Sequence, residues 1–268
     1  MVCDYAPNGL EFGEIFSRFH HHLQHPENVT LHPTSVPPLD TMATGFVTAQ
    51  YALAPHDDIR LVIYGNAAPR RDKNKAMVNN RDHGIQYVRL DNGTEVINVY
   101  SEYAFGFLKD HIVEYRRLDC PDQGSQFRSR DFFPEAISRV INGDKTVFGD
   151  ELKVSDIPDI PHNLVAWTDG FGNIKTSMRL SDLERLGFEM GQEVQVILNG
   201  VNMLGVIALG GFSVDRGVLA VNAGSSGYDD PFIELFLRVH QMSEKTAAVR
   251  YDYPVGGMPF EIKPLKTA

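Results

Sequence analysis

Trp167-Thr168-Asp169-Gly170-Phe171-Gly172-Asn173 sets a carboxylate, aromatic rings, two glycines and a carboxamide within seven residues, between two strand-like runs. Asp169 offers an acceptor for an ammonium group, and Asn173 offers both a donor and an acceptor. The glycines at 170 and 172 let the backbone approach a ligand or take a positive φ. Asn163 to Ala166 is short and mostly apolar, and Ile174 to Met178 alternates as a half-buried strand does. Two readings follow: a ligand-binding turn, or a hairpin connection and nothing more. A second cluster, Asn222-Ala223-Gly224-Ser225-Ser226-Gly227-Tyr228, is likewise small, polar and glycine-rich, and it leads into the apolar run Phe232 to Val239.

In this order the two turns resemble the C-terminal domain of the S-adenosylmethionine hydroxide adenosyltransferases, the family that also holds the fluorinating and chlorinating enzymes. There an aspartate-x-phenylalanine-glycine-asparagine turn and a serine-serine-glycine turn hold the methionine end of the cofactor. A third segment, Phe127-Arg128-Ser129-Arg130-Asp131-Phe132-Phe133-Pro134, is similar to the family's phenylalanine-histidine-glycine-arginine-aspartate motif leading into a helix. Asp91-Asn92-Gly93, a good hairpin signal by itself, matches a proline-aspartate-asparagine-glycine turn, with Leu90 where the proline stands. The similarity covers most of the chain, strongest from 127 to 238 and faint before 60. It implies S-adenosylmethionine as substrate, with Asp169, Phe171, Asn173, Ser225, Ser226 and Tyr228 around its methionine end and Asp4 at the ribose hydroxyls. It also implies a homotrimer, with each site between the N-terminal domain of one subunit and the C-terminal domain of the next, and no metal.

The C5′ carbon of S-adenosylmethionine is activated by the sulfonium, and the leaving group is a neutral thioether. Displacement therefore needs mainly in-line positioning and desolvation of a nucleophile. Hydrolysing members associate an aspartate, an arginine and a histidine with the attacking water. Here Arg71 matches the arginine, but counting back seven residues reaches Tyr64 in place of the aspartate, Arg128 stands for the histidine, and Ser129 for the glycine after it. The family's second ribose aspartate has no clear match, Glu11 being the nearest acid. Hydrolysis to adenosine and methionine is the default expectation. One alternative is a catalytically degenerate module that binds S-adenosylmethionine or adenosine. Another is an anionic nucleophile, because losing a carboxylate and gaining a fixed guanidinium raises the local potential, and Tyr64 would donate to the anion. A plainer account pairs Arg71, Arg128 and Arg130 with Asp72, Asp131 and other acids, with no chemistry attached.

Elements must hold these groups in place. Met1 to Tyr5 opens as a short buried strand ending at Asp4, and Leu10 to Gln24 reads as a helix with Phe12, Ile15, Phe16, Phe19 and Leu23 on one face. His21 and His25 share i, i+4 spacing, but nothing completes a metal set, so a solvated face is the expectation. Asn28 to His32 suits a strand, and Asp40 caps a helix from Thr41 to Leu53. Ile59 to Tyr64 suits a central strand ending in the small-residue loop 65–71, where open α/β sheets place ligands. Further strands are expected at Ala76 to Asn79, Gln86 to Leu90 and Val96 to Tyr100, then a helix from Phe132 to Asn142 closed by Gly143. Prolines at 158 and 161 mark a linker. Beyond it strands dominate, at 163–168, 173–178, Glu193 to Leu198, Met203 to Leu209 and Val218 to Val221, with Asn199-Gly200 as a tight hairpin.

The expected fold is an α/β N-terminal domain, a central sheet flanked by helices over 1–157, followed by a smaller all-β barrel or sandwich over 162–250 and a C-terminal tail over 251–268. A chain of 268 residues suits two cores. A net charge of -10 disfavours a nucleic-acid partner. Cys3 and Cys120 are the only cysteines, and neither a signal peptide nor an apolar run approaching about 18 residues is present, which reads as a reduced, cytoplasmic protein with no membrane partner.

Overall fold

A computed structural model describes residues 1–56, 59–67, 84–101, 103–121, 124–239 and 245–265. The chain divides into two units, Met1–Asp159 and Ile160–Ala268, within the proline-marked linker. Each unit is built on a mixed seven-stranded sheet carrying helices, a two-domain α/β organisation.

The first sheet comprises β1 (Val2–Cys3), β2 (Thr34–Ser35), β3 (Val62–Asn66), β4 (Ile85–Leu90), β5 (Glu95–Val99), β6 (Ile112–Leu118) and β7 (Phe148–Glu151), in the order β2-β1-β3-β5-β4-β6-β7. β2, β1, β3 and β5 run parallel, while β4, β6 and β7 join antiparallel. Its helices are α1 (Leu10–His22), α2 (Thr41–Ala52), α3 (Arg128–Asp131) and α4 (Phe133–Ile141). On α1, Phe12, Ile15 and Phe19 recur at helical spacing and are buried. Ile15 and Phe19 share a core with Phe133, Ile137 and Val140 of α4 and with Tyr64, Tyr87 and Ile97 of the sheet. Asp40 caps α2 by accepting from Ala43 N at 2.8 Å. Thr41 through Ala49 are all buried, so this helix lies inside the unit, and its small residues permit that. The strand expected at Asn28 to His32 is absent: Pro26–Asn28 form a single 3-10 turn. Pairing starts later, where Thr34 N donates to Met1 O and Val36 N to Cys3 O. The strand expected at Ala76 to Asn79 lies outside the described residues.

The second sheet holds β8 (Val165–Thr168), β9 (Ile174–Arg179), β10 (Glu193–Leu198), β11 (Val201–Ala208), β12 (Leu219–Ala223), β13 (Phe232–Leu237) and β14 (Phe260–Pro264), in the order β14-β10-β11-β12-β13-β9-β8. Neighbours are antiparallel except β11 and β12. Asn199 and Gly200 take φ of 51° and 74° between β10 and β11, the left-handed pair of a two-residue hairpin. Two short helices, α5 (Leu180–Arg185) and α6 (Ala247–Arg250), interrupt a unit whose run of strand-like segments is expected to be all-β.

The supposed tail is the largest departure. Phe260–Pro264 pairs with β10, Leu198 opposite Phe260 and Val194 opposite Pro264, and Tyr251 and Phe260 are fully buried in the unit's core. Prolines 254 and 259 precede this strand and Pro264 ends it, so the ladder keeps its interior donors. Just before it, Leu164 bridges Pro259, Val165 N donates to Met258 O, and Gly257 N donates to Val165 O, so hydrogen bonds join the β8 edge of the sheet to the chain entering its β14 edge. No helix among the described residues is long and apolar enough to cross a membrane.

Candidate functional site

Asp169 stands just past the end of β8, and its carboxylate organises the turn around itself. Oδ1 accepts from the backbone N–H groups of Phe171 (2.9 Å) and Asn173 (3.0 Å), and Oδ2 accepts from Asn173 Nδ2 (3.0 Å). Asp169 and Asn173 are thus each other's partners before they serve a ligand, and both side chains are oriented by bonds within five residues. Lys175 Nζ lies 3.6 Å from Asp169 Oδ2 and donates to Glu234 at close range. The Lys175 and Glu234 side chains are each 8% exposed, a burial that charges tolerate only when paired.

Sheet register explains how these groups meet. Asn222, Glu234 and Lys175 stand opposite one another in a row across β12, β13 and β9. A Cβ at Gly224 would lie 2.8 Å from Glu234 Oε2, so the start of the 224–228 turn has room for the carboxylate only because it is glycine. Glu234 and Lys175 therefore link the two glycine-rich turns. In this row, beside Glu234, Asn222 Oδ1 is buried with no hydrogen-bond partner among the described residues, a state that calls for a ligand or water. Two carboxylates against one ammonium leave this cluster one negative charge, which suits a cation or ammonium group. Phe171 and Tyr228 are 69% and 44% exposed. Ser225 is exposed, and half-buried Ser226 uses its carbonyl to accept from Phe232 N.

In the first unit, Asp4 follows β1 and Asn66 ends β3, with Cys3 paired to Asn66. The carboxyl ends of adjacent parallel strands are where α/β sheets bind ligands. Asp4 Oδ2 accepts from Leu39 N at 3.0 Å. Tyr5 Oη accepts from Asn66 Nδ2 at 2.7 Å and shares a hydrogen with Ser129 Oγ at 2.7 Å, tying β1, β3 and α3 together. Burial holds the Tyr5 hydroxyl well above its usual pKa, against the lowering effect of the Ser129 bond, so it stays protonated.

The three positions aligned with the water-handling groups fare differently. Arg71 lies outside the described residues. Arg128 opens α3 with its guanidinium 5.2 Å from the centre of the Phe133 ring. It lies beside Cys120, whose thiol burial pushes up to about 11 while the Arg128 charge offsets part of the rise. Tyr64 is 2% exposed and sits in the core edge-on to Phe19. Its hydroxyl has no hydrogen-bond partner among the described residues, and burial raises its pKa well above the ordinary value. The geometry thus makes Tyr64 a core residue.

Sequence reasoning missed Lys175, Glu234 and Tyr5, and it gave Asn222 and Asn66 no role beyond membership of a cluster and a loop. Glu234 had a readable signal, a lone carboxylate inside the apolar run from 232 to 239, which a buried strand carries only with a cation opposite. Tyr5 had none, because its partners Asn66 and Ser129 lie far along the chain.

No family model matches this chain, and no curated protein matches it. Among solved structures it is similar to an uncharacterized conserved protein from Thermotoga maritima, at 15% identity over 98% of both chains with a TM-score of 0.70. It is also similar to a conserved hypothetical protein from Thermus thermophilus, at 15% identity over 97% of both chains with a TM-score of 0.62. At such identity the likeness concerns the fold alone.

Proposed function

We propose that this chain binds S-adenosylmethionine and transfers its adenosyl group, with hydrolysis to adenosine and methionine as the default reaction. The observation that supports this reading is the linked pair of turns in the second unit. Segments that resemble the methionine subsite are joined through Glu234 and Lys175 around Asp169, a cluster with one net negative charge and an unsatisfied carboxamide oxygen on Asn222. In this reading Asp169 accepts from the substrate's ammonium group, with Asn173 and Ser226 beside it, while Phe171 and Tyr228 lend exposed aromatic surface. Asp4, at the carboxyl end of β1, takes the ribose hydroxyls. A water oxygen forms a bond to C5′, the C5′–sulfur pair leaves on methionine as a neutral thioether, and the water's proton passes to solvent. Chromatography of S-adenosylmethionine incubated with the purified protein tests this. Adenosine and methionine in equal amounts are expected, and binding without any cofactor-derived product removes the enzymatic reading.

A second reading, a module that binds the nucleoside without turnover, is favoured by a specific observation. Tyr64 is enclosed in the core, and Arg128 is packed over Phe133, so neither supplies the carboxylate or imidazole that would orient water. An anionic nucleophile held by Arg128 is the remaining variant, tested by the dependence of cleavage on added halide in the wild type and in Arg128→His. The resemblance also implies a homotrimer, for which light scattering is the measurement.

A further inference from the structure

A cavity of about 620 Å³ opens on the first sheet, away from the strand ends that carry Asp4 and Asn66. Register builds it. Arg89 on β4 stands opposite Glu95 of β5 and Glu114 of β6, and one step along, Tyr87 stands opposite Arg116. Side chains at these positions share one face of the sheet. Tyr87 and Phe148 meet edge to face at 4.8 Å within the lining, and Lys145 stands at its edge.

The hydrogen bonds sort these charges into spent and available ones. Arg60 donates from Nε to Glu95 (2.7 Å) and from its terminal nitrogens to the carbonyls of Ile141 and Val140 at the end of α4, while Tyr87 Oη also donates to Glu95. That pair is saturated. Glu114 lies between the other two arginines, Oε1 accepting from Arg116 Nε at 2.8 Å and Oε2 from Arg89 Nε at 3.2 Å. Burial would raise the Glu114 pKa, but the two arginine bonds outweigh it and hold it below the usual carboxylate value, so the carboxylate persists as the spacer. Each guanidinium is thus gripped side-on. Its two terminal amino groups, and the Lys145 ammonium, make no hydrogen bond or ion pair to a described residue.

Four cations against two carboxylates leave this cavity two positive charges on a chain whose net charge is -10. Glu151, opposite Arg116 on β7, is exposed and outside the lining. Solvated arginine–glutamate pairs on a flat surface contribute little. A concave site that reverses the protein's overall charge and presents forked donors without protein acceptors matches the recognition of a tetrahedral oxyanion.

We propose that this cavity is a binding site for a phosphoryl dianion, held by the terminal amino groups of Arg89 and Arg116 and by Lys145, with Phe148 as an apolar wall. The shared chemistry admits two sources, inorganic phosphate and a phosphate monoester whose organic group covers Phe148. Calorimetric titration of the full-length protein with inorganic phosphate and with phenyl phosphate separates them, at low salt and with acetate as the singly charged control. Phenyl phosphate carries no nucleoside, so the result is independent of the adenosyl reading. Saturable binding of a phosphoryl dianion, at least tenfold tighter than acetate, is expected. Tighter phenyl phosphate assigns the ester, and equal or tighter inorganic phosphate assigns the free anion. Lys145→Ala removes an exposed side chain and is expected to weaken binding about threefold to tenfold. Arg89→Ala with Arg116→Ala abolishes it, and Arg116→Lys, which keeps the charge and loses the fork, weakens it severalfold. Absence of saturable binding at low salt, or binding that Lys145→Ala and Arg116→Lys both leave unchanged, overturns the site.

Discussion

The two clusters reach similar local order by opposite means. In the second unit, Asp169 and Asn173 are positioned by their own turn, and the long-range component is a buried ion pair, Lys175 with Glu234. In the first unit, Tyr5, Asn66 and Ser129 are held by neutral hydrogen bonds among three distant elements. A neutral network tolerates loss of one member at modest cost, whereas an ion pair with 8% of each side chain exposed leaves an uncompensated charge when cut.

Cutting the ion pair is therefore the strongest way to expose that difference. Lys175→Met strands Glu234 and removes the cation beside Asp169, and a loss of about 3–5 kcal/mol of stability is expected from urea unfolding. Joining it with Glu234→Leu should recover much of the loss, because the stranded charge disappears. A double variant no more stable than the single one would show that packing rather than charge dominates.

Next in size is Asp169→Asn. The amide keeps the shape but removes the charge that, in the proposed function, accepts from the substrate's ammonium, so under that proposal calorimetry should report S-adenosylmethionine affinity down by about 2–3 kcal/mol, the scale of a hydrogen bond to a charged group. Unchanged affinity would place the ammonium elsewhere.

Tyr5→Phe sharpens the comparison from the other side. It deletes the hydroxyl between Asn66 and Ser129 while keeping the ring against Phe12 and Phe127, and about 1–2 kcal/mol of stability should be lost. A cost matching that of Lys175→Met would erase the distinction between the clusters.

The mildest effect concerns pH. Both cysteines lie in the first unit, and burial raises Cys120 from 9.0 to about 11 and Cys3 to about 12. A raised folded-state pKa means the native state holds the proton longer than the unfolded chain, so this contribution is intact below pH 9 and declines between about 9 and 11. Hydrogen exchange across that window should show protection falling in the first unit before the second, and Cys120→Ala should flatten the trend.

These contrasts track what was legible in the residues alone. The turn from Asp169 to Asn173, the Asp40 cap, the Asn199-Gly200 hairpin and the apolar stripe of α1 depend on contacts within a few residues, so their spacing was enough to place them. Glu234 was half legible: its isolation in an apolar run demanded a partner, but only the register between β13 and β9 supplied Lys175.

Other features were decided by tertiary structure. Every residue from Ile63 to Asn66 is buried, so no alternation of polar and apolar types reveals which way Tyr64 faces, and the core around Phe19 settles it. Phe260–Pro264 looked like a tail because its prolines suggest irregular chain. It is a strand because β10 had an unpaired edge and the core had room for Phe260. Local hydrogen bonds and periodicity are properties of a short segment, and the chain carries them wherever it goes. Pairing register and the side of a sheet that a residue faces follow from which distant surfaces must be buried together, and no short segment holds that information by itself.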